Sequence, residues 1–172
     1  FPGSNHVPFA PDDPELIAKW SVFRLTRAAF QQHYCRCSIG TITTDQTVEL
    51  TKALKEHGLY SPKRVIFISF SLNICERLAA LCPGFTVQYL GDDKSPEELA
   101  GLGINGIDFH YKVFAKNPTW FKQARDNKMS VNSWTVNKEK DIQSMIDLVV
   151  DCITTNEPML TREKLGKREK RK

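Results

Sequence analysis

The feature that most constrains this chain is the regular return of short apolar runs. Val65-Ile-Phe-Ile-Ser-Phe70 is β-branched and aromatic, and its theme recurs at Phe85–Leu90, Gly106–His110, Ser130–Val136 and Val149–Thr154. Runs of this kind read as buried strands. Their starts lie 20, 21, 24 and 19 residues apart, and each interval has room for one helix and two short loops. Strands that alternate with helices form a parallel sheet, because a parallel neighbour is reached only by a crossover, and that crossover is right-handed.

The intervals carry helix-start chemistry. Ser95-Pro-Glu-Glu98 combines a Ser cap, a Pro at the first helical position and a Glu placed to return a hydrogen bond to the cap. Asn117-Pro118 offers a similar opening for a helix through Trp120, Phe121 and Ala124, and Asn137 is expected to cap a helix through Ile142, Met145 and Ile146. Thr44 to His57 places Val48, Leu50 and Leu54 at helical spacing and stops at Gly58, which suits a left-handed cap. A last helix is expected from Pro158 to Leu165. Before residue 42 the pattern changes: Phe1 to Pro14 reads as an arm, and Leu16 to Tyr34 as one amphipathic helix.

With 172 residues the chain has the size of one domain, which by length alone favours an open five-stranded sheet over an eight-stranded βα barrel of about 250 residues. No G-x-G-x-x-G follows a strand; Gly101-Leu-Gly-Ile-Asn-Gly106 precedes one, so a dinucleotide fold has no support. The net charge of +4 resides in Gly166–Lys172, where five basic residues face one Glu, and this segment reads as a disordered basic tail. The rest is neutral and shows no phosphate-tracking stripe, which argues against a nucleic-acid partner. The longest uncharged apolar stretch, Val65 to Cys75, is too short to span a membrane. Cys75, Cys82 and Cys152 sit in apolar runs and read as small buried residues. Cys35 and Cys37 beside His33 offer three candidate metal ligands and no fourth.

Parallel βα folds bind ligands at the C-terminal ends of their strands. Here those ends are Phe70-Ser71, Tyr89-Leu90, His110-Tyr111, Trp134-Thr-Val-Asn137 and Thr154-Thr-Asn-Glu157. The run Val131-Asn-Ser-Trp-Thr-Val-Asn137, followed by Asp151-Cys-Ile-Thr-Thr-Asn-Glu-Pro158, resembles the closing strands of the glycerophosphodiester phosphodiesterase family, and the ends Ile68-Ser-Phe70 and Gln88-Tyr-Leu90 occur in the same order there. The resemblance covers residues 42–165. It implies an α/β fold, the C-terminal five βα units of a TIM-type (βα)8 barrel, incomplete in this chain. It also implies hydrolysis of glycerophosphodiesters to glycerol 3-phosphate and an alcohol, with a divalent cation, calcium or magnesium, as cofactor. Trp134, Tyr89 and His110 are the substrate-binding candidates that it suggests. Cys152 stands where the family usually has Gly, and Asn156 where Asp is common.

The family's catalytic motifs have no counterpart here. His6, His33, His57 and His110 are followed by Val, Tyr, Gly and Tyr, so the family's His-Arg-Gly and His-Asp are absent, and no Glu-x-Lys occurs. The single Glu-x-Asp, Glu139-Lys-Asp141, opens a helix, where acids complement the helix dipole. Gln31 to Gly40, in the place of the family's third strand, matches nothing in it. No catalytic residue and no metal ligand is therefore assigned, and the chain alone is expected to bind no cation and to be inactive. Three domain segments follow: an arm with a helix (1–41), a partial phosphodiesterase barrel (42–165) and a basic tail (166–172). A non-catalytic βα scaffold for binding or assembly is the alternative function. Self-association is expected, because five strands that cannot close leave edges and inward apolar faces open.

Overall fold

The computed structural model describes residues 20–23, 35–39, 44–63 and 65–169, with side chains for 47–63 and 65–166. Its elements are β1 (Trp20–Phe23), β2 (Cys35–Ile39), α1 (Thr44–Glu56), β3 (Val65–Ser69), α2 (Leu72–Leu81), β4 (Thr86–Tyr89), α3 (Pro96–Gly101), β5 (Gly106–His110), α4 (Lys112–Lys116), α5 (Trp120–Asp126), β6 (Ser130–Trp134), α6 (Glu139–Asp147), β7 (Cys152–Ile153) and α7 (Pro158–Glu169). One sheet holds all seven strands in chain order. β2 to β7 pair in parallel, each with its sequence neighbour, and β1 adds to β2 antiparallel.

This order settles the choice between open sheet and barrel. A doubly wound sheet reverses its strand order at a switch point and so carries helices on both faces. The order β2 to β7 never reverses, and right-handed crossovers then lie on one side only. The core agrees. Phe67, Val87, Ile107, Phe109 and Val131, from one face of the strands, form a single buried cluster with Leu54, Leu78, Leu99, Ala124, Ile142 and Ile146 of the helices. The opposite, concave face carries Gln88, Asp108 and Asn132, all buried, together with Ile68, Leu90 and Cys152, which are buried outside that cluster. The molecule is an arc of βα barrel.

Local chemistry explains several boundaries. Ser95 accepts from the Glu98 amide while the Glu98 carboxylate accepts from the Ser95 amide, so the capping box at Pro96 forms as expected. Gly58, at φ +66°, ends α1. Other expectations fail. Within Leu16 to Tyr34, expected to be helical, Trp20–Phe23 is a strand that covers the edge of β2, in keeping with the β propensity of Trp-Ser-Val-Phe. The other residues of that span lie outside the described residues. β2 is a sixth parallel strand where the family's third was expected. Asn117 does not cap α5; its side chain donates to the Val113 carbonyl and closes α4 instead. Val149 belongs to no strand. It sits at φ +62° in the turn after α6, its amide donating to the Ile146 carbonyl, and the strand shrinks to Cys152–Ile153. α7 runs to Glu169, into the segment expected as a tail. Lys170–Lys172 lie outside the described residues, as does the arm at residues 1–14.

Cys75, Cys82 and Cys152 are buried and take part in no disulfide. Burial pushes the Cys75 thiol up to about 12, and its Sγ donates weakly to the Ser69 and Gln88 carbonyls between β3 and β4. The Cys35, Cys37 and His33 side chains lie outside the described residues. Among those described, no helix is long and apolar enough to cross a membrane.

Gly106, on the concave face, has no room for a side chain. A Cβ there would lie 2.7 Å from Gln88 Cγ and 3.1 Å from the Val87 carbonyl oxygen. Gln88 cannot yield freely, because it is fully buried and its Nε2 donates to Ser130 Oγ at 2.9 Å. Gly106→Ala is therefore expected to destabilise the chain by about 1–3 kcal/mol, the usual cost of overpacking. Urea unfolding checks this, and an unchanged midpoint would show that Gln88 has another place to go.

Candidate functional site

The C-terminal ends of β3, β5 and β6 bring three aromatic groups to the mouth of the arc. Phe70 follows β3 in a tight turn, where the Ser71 amide donates to Ser69 Oγ and Ser71 in turn caps α2. The turn throws the Phe70 ring outward, 62% exposed. His110 and Trp134 are register partners at the ends of β5 and β6. Trp134 meets His110 edge-on at 5.3 Å and Phe70 edge-on at 5.7 Å. Its indole Nε1 donates to the Asp108 carbonyl at 2.6 Å, which fixes the ring across the β5–β6 ladder.

Beneath this rim lies a polar floor. Asp108 and Asn132 are register partners on the concave face, 2% and 0% exposed. Asn132 Nδ2 donates to Thr154 Oγ1 at 3.5 Å, and its Oδ1 is buried without a protein hydrogen bond. Strand alternation alone sets Asp108 on the face of His110, and Asn132 on that of Trp134. Neither they nor Phe70 were among the substrate-binding candidates, although Phe70 was named as a strand end and alternation carried the signal for the other two.

Tyr89 is placed elsewhere. It shares the face of Val87 and packs in the layer between sheet and helices, 4% exposed, with its hydroxyl donating to Asp93 at 2.6 Å. Burial and that carboxylate push its pKa well above the ordinary value. The structure therefore brings His110 and Trp134 together and leaves Tyr89 behind the strand, because Gln88 of β4 and Leu90 just after it, not Tyr89, lie on the concave face.

The two motifs that carried the family resemblance form one structural unit. Asn137 does not cap α6, whose N-cap is Lys138. Its Oδ1 instead accepts from the Asn156 amide at 2.8 Å and from Thr155 Oγ1 at 3.3 Å. The Val136 amide donates to the Thr154 carbonyl, so the loops after β6 and β7 are tied side by side at the mouth.

The sequence profile of the glycerophosphoryl diester phosphodiesterase family matches residues 38–160, from the end of β2 into α7. The chain belongs to this family. It is 34% identical to a glycerophosphodiester phosphodiesterase from Parabacteroides distasonis, whose crystal structure it superposes with a TM-score of 0.73, covering 78% of this chain and 58% of that one. The chain thus spans a little over half of that relative's length. Two more distant structures share the fold. One is a putative glycerophosphoryl diester phosphodiesterase from Silicibacter pomeroyi (20% identity, TM-score 0.63, 73% of this chain and 44% of that one). The other is an Oleispira antarctica phosphodiesterase in complex with the product sn-glycerol-3-phosphate (17%, 0.59, 72% and 50%). No curated protein matches the sequence.

The family is in general metal-dependent. Calcium and magnesium need several oxygen ligands, carboxylates first. Among the described residues no group of three or more His, Cys, Asp or Glu could hold a metal ion, so they do not by themselves fit such a centre.

His110 is the titratable group of the rim. Its Nδ1 accepts from the Lys112 amide at 3.3 Å, which leaves Nε2 to carry the proton in the neutral ring. Its pKa is lowered, first by burial and then by Lys112 and Lys116, with Asp92 opposing. The unfolded chain then takes up this proton first as pH falls, so stability declines below about 6.5, the ordinary histidine value, and levels off below the folded pKa. NMR titration of the His110 ring is expected to give a midpoint below 6.5, and Lys112→Gln to raise it. A midpoint at or above the ordinary value would contradict this environment.

Proposed function

We propose that this chain is the substrate-binding wall of a glycerophosphodiester phosphodiesterase. The family-level reaction is hydrolysis of a glycerophosphodiester to glycerol 3-phosphate and an alcohol, assisted by a divalent cation, calcium or magnesium. The observation that carries the reading is the Phe70–His110–Trp134 mouth, built on strand ends of a barrel arc that is 34% identical to the Parabacteroides enzyme. Trp134 presents a flat apolar edge to the glycerol or alcohol portion of the substrate. His110, whose lowered pKa keeps it neutral near pH 7 with the proton on Nε2, donates a hydrogen bond to a hydroxyl or phosphoryl oxygen.

Phosphodiester hydrolysis also needs charge neutralisation on the phosphoryl oxygens and proton transfer at the nucleophile and leaving group. The sequence holds neither family His motif and no Glu-x-Lys. Binding without turnover therefore suits this chain, which is the point of contact with the alternative of a non-catalytic βα scaffold. The purified chain is expected to release no glycerol 3-phosphate from glycerophosphocholine with magnesium or calcium, yet to bind glycerol 3-phosphate in a way that Trp134→Ala weakens. Metal-dependent turnover above that of an identically purified Trp134→Ala chain would overturn the inactive assignment. Equal binding by the two chains would overturn the mouth as the binding wall.

Self-association belongs to the same proposal. The mouth exposes Phe70, the concave face leaves Ile66 and Thr86 only partly covered, and β1 and β7 are the edges of the described sheet. Such edges and apolar surface favour pairing with a second copy. Sedimentation is expected to show a dimer or larger species, and a monodisperse monomer across the micromolar range would exclude it.

A further inference from the structure

The crossover from β5 to β6 is split into two short helices, α4 of five residues and α5 of seven, which bend apart at Asn117-Pro118-Thr119. The bend opens a groove against α6 with a cavity volume of about 540 Å³, within the range of small-molecule sites. Its floor is apolar: Phe114 and Met145 are buried there, Phe121 meets Phe114 edge-on at 6.1 Å, and Leu148 also lines it. Ala115 and Pro118 form an exposed side wall.

The rim is cationic. Lys112, Lys138 and Lys140 line it against a single carboxylate, Asp141. The neighbouring acid Glu139 is engaged by Lys164. Lys138 is the N-cap of α6 and Lys140 lies in its first turn, where a cation opposes the helix dipole, so helix stability does not account for them. An apolar trough beneath an unbalanced set of ammonium groups complements one kind of molecule, an apolar chain ending in an anion.

We infer that the groove between α4, α5 and α6 binds a single-chain anionic amphiphile, its chain on Phe114, Phe121 and Met145 and its carboxylate or phosphate head on Lys138 and Lys140. The groove is separate from the mouth described above, which it adjoins through Tyr111: that residue lines the groove and stacks on His110 at 4.5 Å.

The test is calorimetric titration of the full chain with octyl phosphate, octanoate and octanol below their aggregation limits. Octyl phosphate or octanoate is expected to bind at least tenfold more tightly than octanol. Across hexyl, heptyl and octyl phosphate, affinity should rise by up to about fourfold per methylene, the factor for full burial of a CH₂ group. Lys138→Glu with Lys140→Glu should weaken octyl phosphate at least tenfold, and Ala115→Trp, which fills the trough from an exposed position, should abolish binding without moving the melting midpoint. Trp134→Ala should leave binding unchanged. Inorganic phosphate as tight as octyl phosphate, octanol as tight as the anions, no binding of either anion, or loss in Trp134→Ala but not in Ala115→Trp would each overturn the inference.

Discussion

Parallel pairing of β2 to β7 in unbroken chain order is the constraint on which the rest of this structure depends. Each strand lands on the same side of its predecessor, and each crossover is right-handed, so every crossover helix falls on one face of the sheet. That face becomes the apolar core, with Phe67, Val87, Ile107 and Phe109 against Leu78, Leu99 and Ile142. Among the described residues no crossover helix covers the other face, which lies on the inside of the arc. Its residues pack on one another, as Gln88 does with Gly106 and Ser130, or stand at the mouth of the arc, as His110 and Trp134 do.

The mouth is rigid for reasons that reach beyond any one residue. Trp134 is held by the Asp108 carbonyl, and the loop that follows it is held by Asn137, which binds backbone and side chain of the loop after β7. An aromatic rim on loops tied in this way is preorganised, and preorganisation lowers the cost of binding. His110 is fixed as well, by the Lys112 amide on one nitrogen and by rings on two sides. These contacts join β5, β6 and the loops that follow β6 and β7, and none of them involves the His motifs that the sequence lacks.

The five strands from residue 65 onward were legible because short β-branched and aromatic runs recur at a βα period, and the Ser95 capping box because both of its hydrogen bonds are local. The W-T-V-N and T-x-N-E-P runs identified the family for a reason now visible: they are two halves of one hydrogen-bonded unit. What was misread depended on partners distant in sequence. Leu16 to Tyr34 suggested a helix, but Trp20–Phe23 is a strand that covers the edge of β2. Asn137 had the composition of a helix cap, but its acceptor is taken by Asn156, nineteen residues away. Val149 looked like the start of a strand, but the turn that ends α6 holds it in a left-handed conformation.

The sequence by itself determined the alternation of strand and helix, the family and the absence of its His motifs, since all of these are properties of local pattern and residue identity. Strand order is not in the periodicity, which says that a crossover exists but not on which side of its predecessor the next strand lands; the barrel arc was expected only through the family resemblance, and the unbroken strand order bears it out. The facing of individual side chains was decided only in three dimensions. Tyr89 and His110 both end strands, yet one register phase turns Tyr89 toward the helices and His110 toward the mouth, and alternation within a strand cannot tell which phase faces in until the sheet has curved.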